Sequence, residues 1–168
     1  MDTQQLFVYG TLKPGYGNFR RICKGRIDGA KPAWVRGWLY DLPPGYPALV
    51  EREPEERFSA PVPERGSPPA RATGEKLAPR RVDGWVFGYI LSFSDPRILR
   101  RIDLLEDYEP GRGASLNEYE RVVRPVYGDR GETSGEVWLY VMSHERAMSM
   151  GGRWYAASDW VSDVDWLG

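Results

Sequence analysis

The 168-residue sequence predicts an α+β domain built on a small, mixed, strongly curved β-sheet or barrel flanked by short helices. Two observations predict it. Many short runs of β-forming residues are punctuated by glycine, and one stretch alone repeats apolar residues clearly at helical spacing. The length suits one domain with a sizeable core, and no internal repeat is visible, so residues 1–168 read as a single domain.

The elements follow in order. Leu6-Phe7-Val8-Tyr9 is a short apolar run that reads as a buried strand, and it stops at Gly10. Thr11, Pro14, Gly15 and Gly17 make a strand-ending loop whose bare backbone N–H groups can approach a ligand. Asn18 then caps a short helix over 18–24 that ends at Gly25. Arg26–Lys31 and Ala33–Tyr40 read as strands, with Trp34 and Trp38 on one face at period two. Pro43–Pro47 is a turn and Ala48-Leu49-Val50 starts another strand. Residues 52–81 mix six prolines with many Glu and Arg residues and read as a solvated, mobile loop insertion.

The core resumes at Asp83–Leu91, where Gly84 and Gly88 suggest a bend or bulge. Ser94 or Asp95 caps a helix with Pro96 in its first turn. Ile98, Leu99, Ile102 and Leu105 form its apolar stripe, and it ends near Glu106-Asp107-Tyr108. Glu118–Val126 and Gly135–Met142 are strands, and the Trp-rich tail 154–166 reads as a docked segment with one helical turn.

Composition narrows the chemistry. A formal net charge of −1 argues against a large nucleic-acid footprint. No apolar stretch approaches membrane-spanning length and no signal peptide is visible, so a cytoplasmic protein is expected. Cys23 and His144 are the only residues of their kinds, which excludes an internal disulfide and a metal site built from several Cys or His ligands. His144 reads as a surface residue. Cys23 stands beside Arg20, Arg21 and Lys24, which can lower a thiol's pKa, but with Ile22 it reads as a small core residue. Catalysis, where present, then rests on carboxylates, tyrosines and backbone amides.

The glycine loop admits a plain turn or an anion cradle. A phosphate loop is rejected, because Tyr16-Gly17 stands where Lys-Ser or Lys-Thr is needed. Glu106 follows the last apolar residue of the helical stripe, where helix meets loop. A carboxylate there is partly desolvated and suited to proton transfer near neutral pH. Asp103, Asp107 and Glu109 compete with it on pattern alone, and a solvated acidic helix end is the plain alternative.

Val8-Tyr9-Gly10-Thr11-Leu12-Lys13-Pro14-Gly15 resembles the signature of the γ-glutamylcyclotransferase-like (AIG2-like) superfamily. So does Ile102-Asp103-Leu104-Leu105-Glu106-Asp107-Tyr108 followed by Tyr119-Glu120-Arg121. Tyr46-Pro47-Ala48 and the late strand ending in Tyr140 match in kind and order. The resemblance covers residues 5 to 142 apart from 52–81. It implies a small β-barrel with one cavity and no cofactor. It implies a substrate site lined by Tyr9, Gly10, Thr11 and Leu12, largely through backbone amides, with Tyr46, Pro47, Tyr119 and Tyr140 contributing. Glu106 takes the place of the catalytic glutamate. Where the family often continues with Gly-Tyr, this chain has Asp107-Tyr108.

The implied reaction suits such a site. A γ-glutamyl amide carries its own nucleophile, the α-amine, so no Ser, Cys or His is required. The partner is a small γ-glutamyl molecule rather than nucleic acid or membrane, and the chain is expected as a monomer or homodimer. A non-catalytic metabolite-binding barrel, an interaction module and an unrelated amide hydrolase are the competing expectations.

Overall fold

A computed structural model describes residues 2–54 and 83–161 of the chain. Five strands close a barrel: β1 (Gln4–Val8), β2 (Gly29–Arg36), β5 (Trp85–Phe93), β6 (Glu120–Tyr127) and β7 (Thr133–Val141). Their order is β1-β5-β2-β6-β7, and a parallel contact of Leu6 with Trp138 joins the last strand to the first. A second sheet of order β4-β3-β8 is made by β3 (Trp38–Leu42), β4 (Tyr46–Val50) and β8 (Arg153–Tyr155). Helix α1 (Pro96–Leu105) follows β5, and α2 (His144–Ser149) follows β7.

Period-two alternation sends side chains into two cores. Phe7, Val35, Ile90, Val126 and Leu139, one from each barrel strand, share the first. Leu6, Val8, Leu91, Phe93 and Tyr140 turn the other way and meet the α1 stripe of Ile98, Leu99 and Ile102. The helix starts as its sequence specifies, with the Asp95 side chain accepting from the Arg97 N–H and Pro96 in the first turn.

Several local expectations change. Asn18 lies in helical conformation and makes no side-chain cap, and Phe19–Cys23 forms a single π turn. Residues 33–40 are not one strand, because Gly37, at φ +147°, breaks β2 from β3 and sends Trp34 and Trp38 into different sheets. Pro32 lies inside β2, opposite Tyr89 of β5, and β6 pairs with β2 only at Trp34. The β2–β5 register runs through Gly88 without a shift, and the irregularity falls instead between Pro125 and Tyr127. Of the tail, Arg153–Tyr155 is a strand and Trp160 is buried, with its indole N–H on Asp41 at 3.0 Å. The expected insertion at 52–81 lies outside the described residues from residue 55 onward, as does the tail beyond residue 161.

The end of α1 holds Asp107, where the resemblance leads to an expectation of glycine. The Tyr108 N–H donates to the Asp103 carbonyl at 2.9 Å and the Asp107 N–H to the Leu104 carbonyl at 3.4 Å, a Schellman closure with Asp107 in the left-handed position at φ 49°. Glycine is the usual occupant of that position, and aspartate is among the few others that tolerate it. Asp107 also pairs with Arg112 at 3.0 Å, on the exposed side of the turn. Asp107→Val is therefore expected to cost about 1–2 kcal/mol, whereas Asp107→Gly should unfold within about 1 kcal/mol of the unmodified chain. Urea unfolding of the two variants checks this; equal losses would show that the turn does not impose the conformation.

Candidate active site

The ends of β1, β4 and α1 and the segment before β6 enclose a cavity of about 170 Å³. Every residue that the resemblance assigns to the site borders it: Tyr9, Gly10, Thr11 and Leu12 from the glycine loop, Tyr46 and Pro47 from β4, Glu106, Tyr119 and Tyr140. Asn18 and Glu118 also line it and were not singled out. Cys23 and His144 do not. Burial pushes the Cys23 thiol up to about 11 despite nearby Arg26, and His144 rests edge-on against Tyr40 at the start of α2.

The glycine loop is pinned at both ends. The Lys13 N–H donates to the Gly10 carbonyl at 3.0 Å, and the Asn18 amide donates to the Thr11 hydroxyl at 2.8 Å. The N–H groups of Gly10, Thr11 and Leu12 donate to no protein acceptor among the described residues, although all three residues border the cavity. Gly10 is not in the left-handed region; what it lacks is room. A Cβ there would stand 2.7 Å from Cγ of Pro47, so glycine lets the loop and β4 meet at the cavity wall. Lys13 itself is buried and ion-paired with Asp159 in the tail.

The four tyrosines hold the walls with their hydroxyls and offer their rings to the cavity. Tyr9 donates to the Tyr140 carbonyl at 2.8 Å and accepts from the Leu49 N–H at 3.1 Å, tying β1 to β7 and β4. Tyr119 donates to the Pro47 carbonyl at 2.7 Å, and Tyr46 donates to the Glu118 carboxylate. Tyr140 donates to Asp103 at 2.6 Å, and the Arg121 guanidinium bonds both oxygens of the same carboxylate. Arg121 also lies over the rings of Trp138 and Tyr108. Asp103 thus anchors β6 and β7 to α1, three residues before Glu106.

Burial, followed by the neighbouring carboxylates, pushes all four phenols well above their ordinary range. Their shifts carry all four away from neutral pH. Glu106 shifts toward it. Desolvation, with a further contribution from the negative charge of Glu118, raises its carboxyl to about 8. Its side chain has no hydrogen-bond partner among the described residues and borders the cavity. The charge that matters to it is therefore Glu118 and not the adjacent Asp107, which is turned toward Arg112.

The sequence contained a signal for Asp103, as a carboxylate inside the apolar stripe of a helix. It contained little for Glu118, which reads as the first residue of a strand, although β6 starts only at Glu120. Asn18 was legible as a polar residue at a turn, but its partner is the loop hydroxyl rather than a helix terminus.

No curated protein sequence matches the chain. Among the described residues no helix is long and apolar enough to cross a membrane. Solved structures with the same fold include an AIG2-like protein from Mus musculus, with a TM-score of 0.55 at 19% identity over 95% of this chain and 90% of that one. A protein of Arabidopsis thaliana gives 0.53 at 19% identity, covering 92% of this chain and 78% of that one. YkqA from Bacillus subtilis gives 0.52 at 16% identity over 95% of this chain, which spans only 40% of the length of YkqA. The model of one family, described as gamma-glutamyl cyclotransferase, AIG2-like, matches residues 6–61 and 72–162. The barrel and that match agree: the chain belongs to the gamma-glutamyl cyclotransferase, AIG2-like family.

Proposed function

We propose that the chain cyclises γ-glutamyl amides, releasing 5-oxoproline and a free amine or amino acid. The observation that carries this reading is Glu106, a half-buried carboxylate at the cavity wall with its pKa raised to about 8, beside a loop with three undonated N–H groups. The reaction needs a folded substrate, a donor set for its carboxylate and developing oxyanion, and one group that moves protons. The N–H groups of Gly10, Thr11 and Leu12 supply the donors, and Asn18 keeps their loop in place through Thr11.

Glu106, ionised, removes a proton from the α-ammonium group and frees the amine. The amine attacks the γ-carbonyl carbon and closes the five-membered ring. Glu106 returns that proton to the amide nitrogen, takes the second proton from the ring nitrogen, and passes it to the departing amine. The carbon–nitrogen bond formed replaces the one broken, and Glu106 ends ionised as it began. No tyrosine is required to titrate.

The test is a panel of γ-glutamyl donors assayed for 5-oxoproline and free glutamate. Appearance of 5-oxoproline is expected, with kcat/KM rising as the pH approaches and passes about 8, because the working form of Glu106 is the carboxylate. Free glutamate instead would indicate a hydrolase. Binding of 5-oxoproline with no turnover of any donor would indicate a metabolite-binding barrel.

A further inference from the structure

Glu118 has no part in the scheme above, yet it borders the same cavity. Its carboxylate accepts from the Tyr46 hydroxyl, and its backbone N–H donates to the Asp107 carbonyl at 3.1 Å. The turn that ends α1 is therefore stitched to the segment that carries Glu118, and both cavity carboxylates sit on one junction. Glu118 is close enough for its charge to act on Glu106. Among the described residues that line the cavity there is no Lys, Arg or His. Two carboxylates in a small cavity without a cation repel one another, and a positively charged guest relieves that repulsion. The oxyanion and carboxylate of a donor have the neutral N–H groups of the glycine loop, so the remaining ionic group of a γ-glutamyl donor is its α-ammonium.

We propose that Glu118, held in place by the Tyr46 hydroxyl, receives the α-ammonium group of the donor and turns it toward Glu106. This rests on the cyclotransferase reading and assigns a second carboxylate to it. The division of labour follows from the contacts. Glu118 is held in one orientation by Tyr46, whereas the Glu106 side chain has no hydrogen-bond partner among the described residues. The site then selects donors with an unmodified α-amine, and it binds the product less strongly than the donor, because the lactam nitrogen of 5-oxoproline carries no charge.

The experiment compares a γ-glutamyl amide with its des-amino analogue, the matching glutaric monoamide, by calorimetric titration in a Glu106→Gln background, where the donor is not consumed, with Glu118 intact and with Glu118→Gln added. With Glu118 intact, loss of the amine should weaken binding about 10- to 100-fold, the range of a charge-assisted hydrogen bond. With Glu118→Gln the difference should fall to within about threefold, while affinity for 5-oxoproline changes less than twofold. Equal affinities for the two compounds with Glu118 intact would overturn the proposal, and so would a parallel loss for amine and des-amino ligands when Glu118→Gln is added. Should Glu118→Gln fail to fold, Tyr46→Phe replaces it and should reduce the difference without removing it; an undiminished difference there overturns the proposal too. These titrations need no turnover, so the absence of 5-oxoproline from every donor would count against the cyclotransferase reading, and the amine comparison would still decide the role of Glu118.

Discussion

Glu106→Gln is expected to lower kcat by about 100-fold or more while making the protein more stable above pH 8. The first effect follows from removing the group that carries both protons while keeping its shape. The second follows from the same burial that suits it to the task. In an unfolded chain a glutamate titrates near its ordinary value of 4.5; in the folded protein Glu106 titrates near 8. Between those values the folded state keeps a proton that the unfolded state has released. The stabilising contribution is complete below about 4.5 and is lost as the pH rises through 8, by up to about 1.4 kcal/mol for each pH unit. Glutamine has no such charge to bury. Denaturant unfolding at pH 5, 7 and 9 should therefore show the two proteins diverging, with the glutamine variant ahead at the alkaline end. A variant that is less stable at pH 9 would mean that Glu106 is not desolvated, and one that turns over normally would mean that it is not the proton carrier. Asp107→Asn and Glu109→Gln should leave most of the activity, since both side chains are exposed on the outer side of the turn.

Gly10→Val is expected to abolish binding of 5-oxoproline and of γ-glutamyl donors, with a stability loss of about 1–3 kcal/mol. The cause is a clash within the protein. Even a single added carbon at position 10 meets the Pro47 ring at 2.7 and 2.9 Å, and valine adds two more. The loop must then move off β4, carrying its N–H groups with it. Because Pro47 is the obstruction, Pro47→Ala should recover part of the loss from Gly10→Ala, a non-additive pair. Thr11→Ser should be nearly silent, since serine keeps the hydroxyl that Asn18 holds. Calorimetric titration of the folded Gly10→Val protein with 5-oxoproline decides the point: an unchanged affinity would remove the loop from the site.

What could be read in the sequence followed from local signals. The apolar stripe of α1, its Asp95 cap and Pro96 specify a helix without help from the rest of the chain, so its end, and Glu106 with it, could be located. The abrupt change from Leu6–Tyr9 to Gly10 marked a strand meeting a loop. Tertiary relations were not legible. Nothing local says that Gly10 faces Pro47, that the Tyr9 hydroxyl reaches two other strands, or that Glu118 stands within the electric field of Glu106. Strand limits failed where one residue outweighed the pattern: the Trp34/Trp38 alternation suggested continuity, and the single conformation of Gly37 ended it. The π turn after the glycine loop was missed for a similar reason, since Asn18 gives up its usual capping geometry to bond Thr11.

The ion pair of Lys13 has a consequence for the order in which the molecule is made. Lys13 belongs to the loop that opens the cavity, and Asp159, the carboxylate that neutralises it, follows 146 residues later. The Trp160 carbonyl accepts from the same ammonium. Contacts so distant in the chain form only after the intervening segments have been closed, and closure over that length is slow compared with the growth of a helix. During synthesis, β1 and its loop leave the ribosome long before Asp159 and Trp160 do. A nascent chain arrested before residue 159 can contain every residue that borders the cavity and still lack the counter-charge that fixes the loop. The counter-charge of the first loop thus arrives with the tail and not with the barrel.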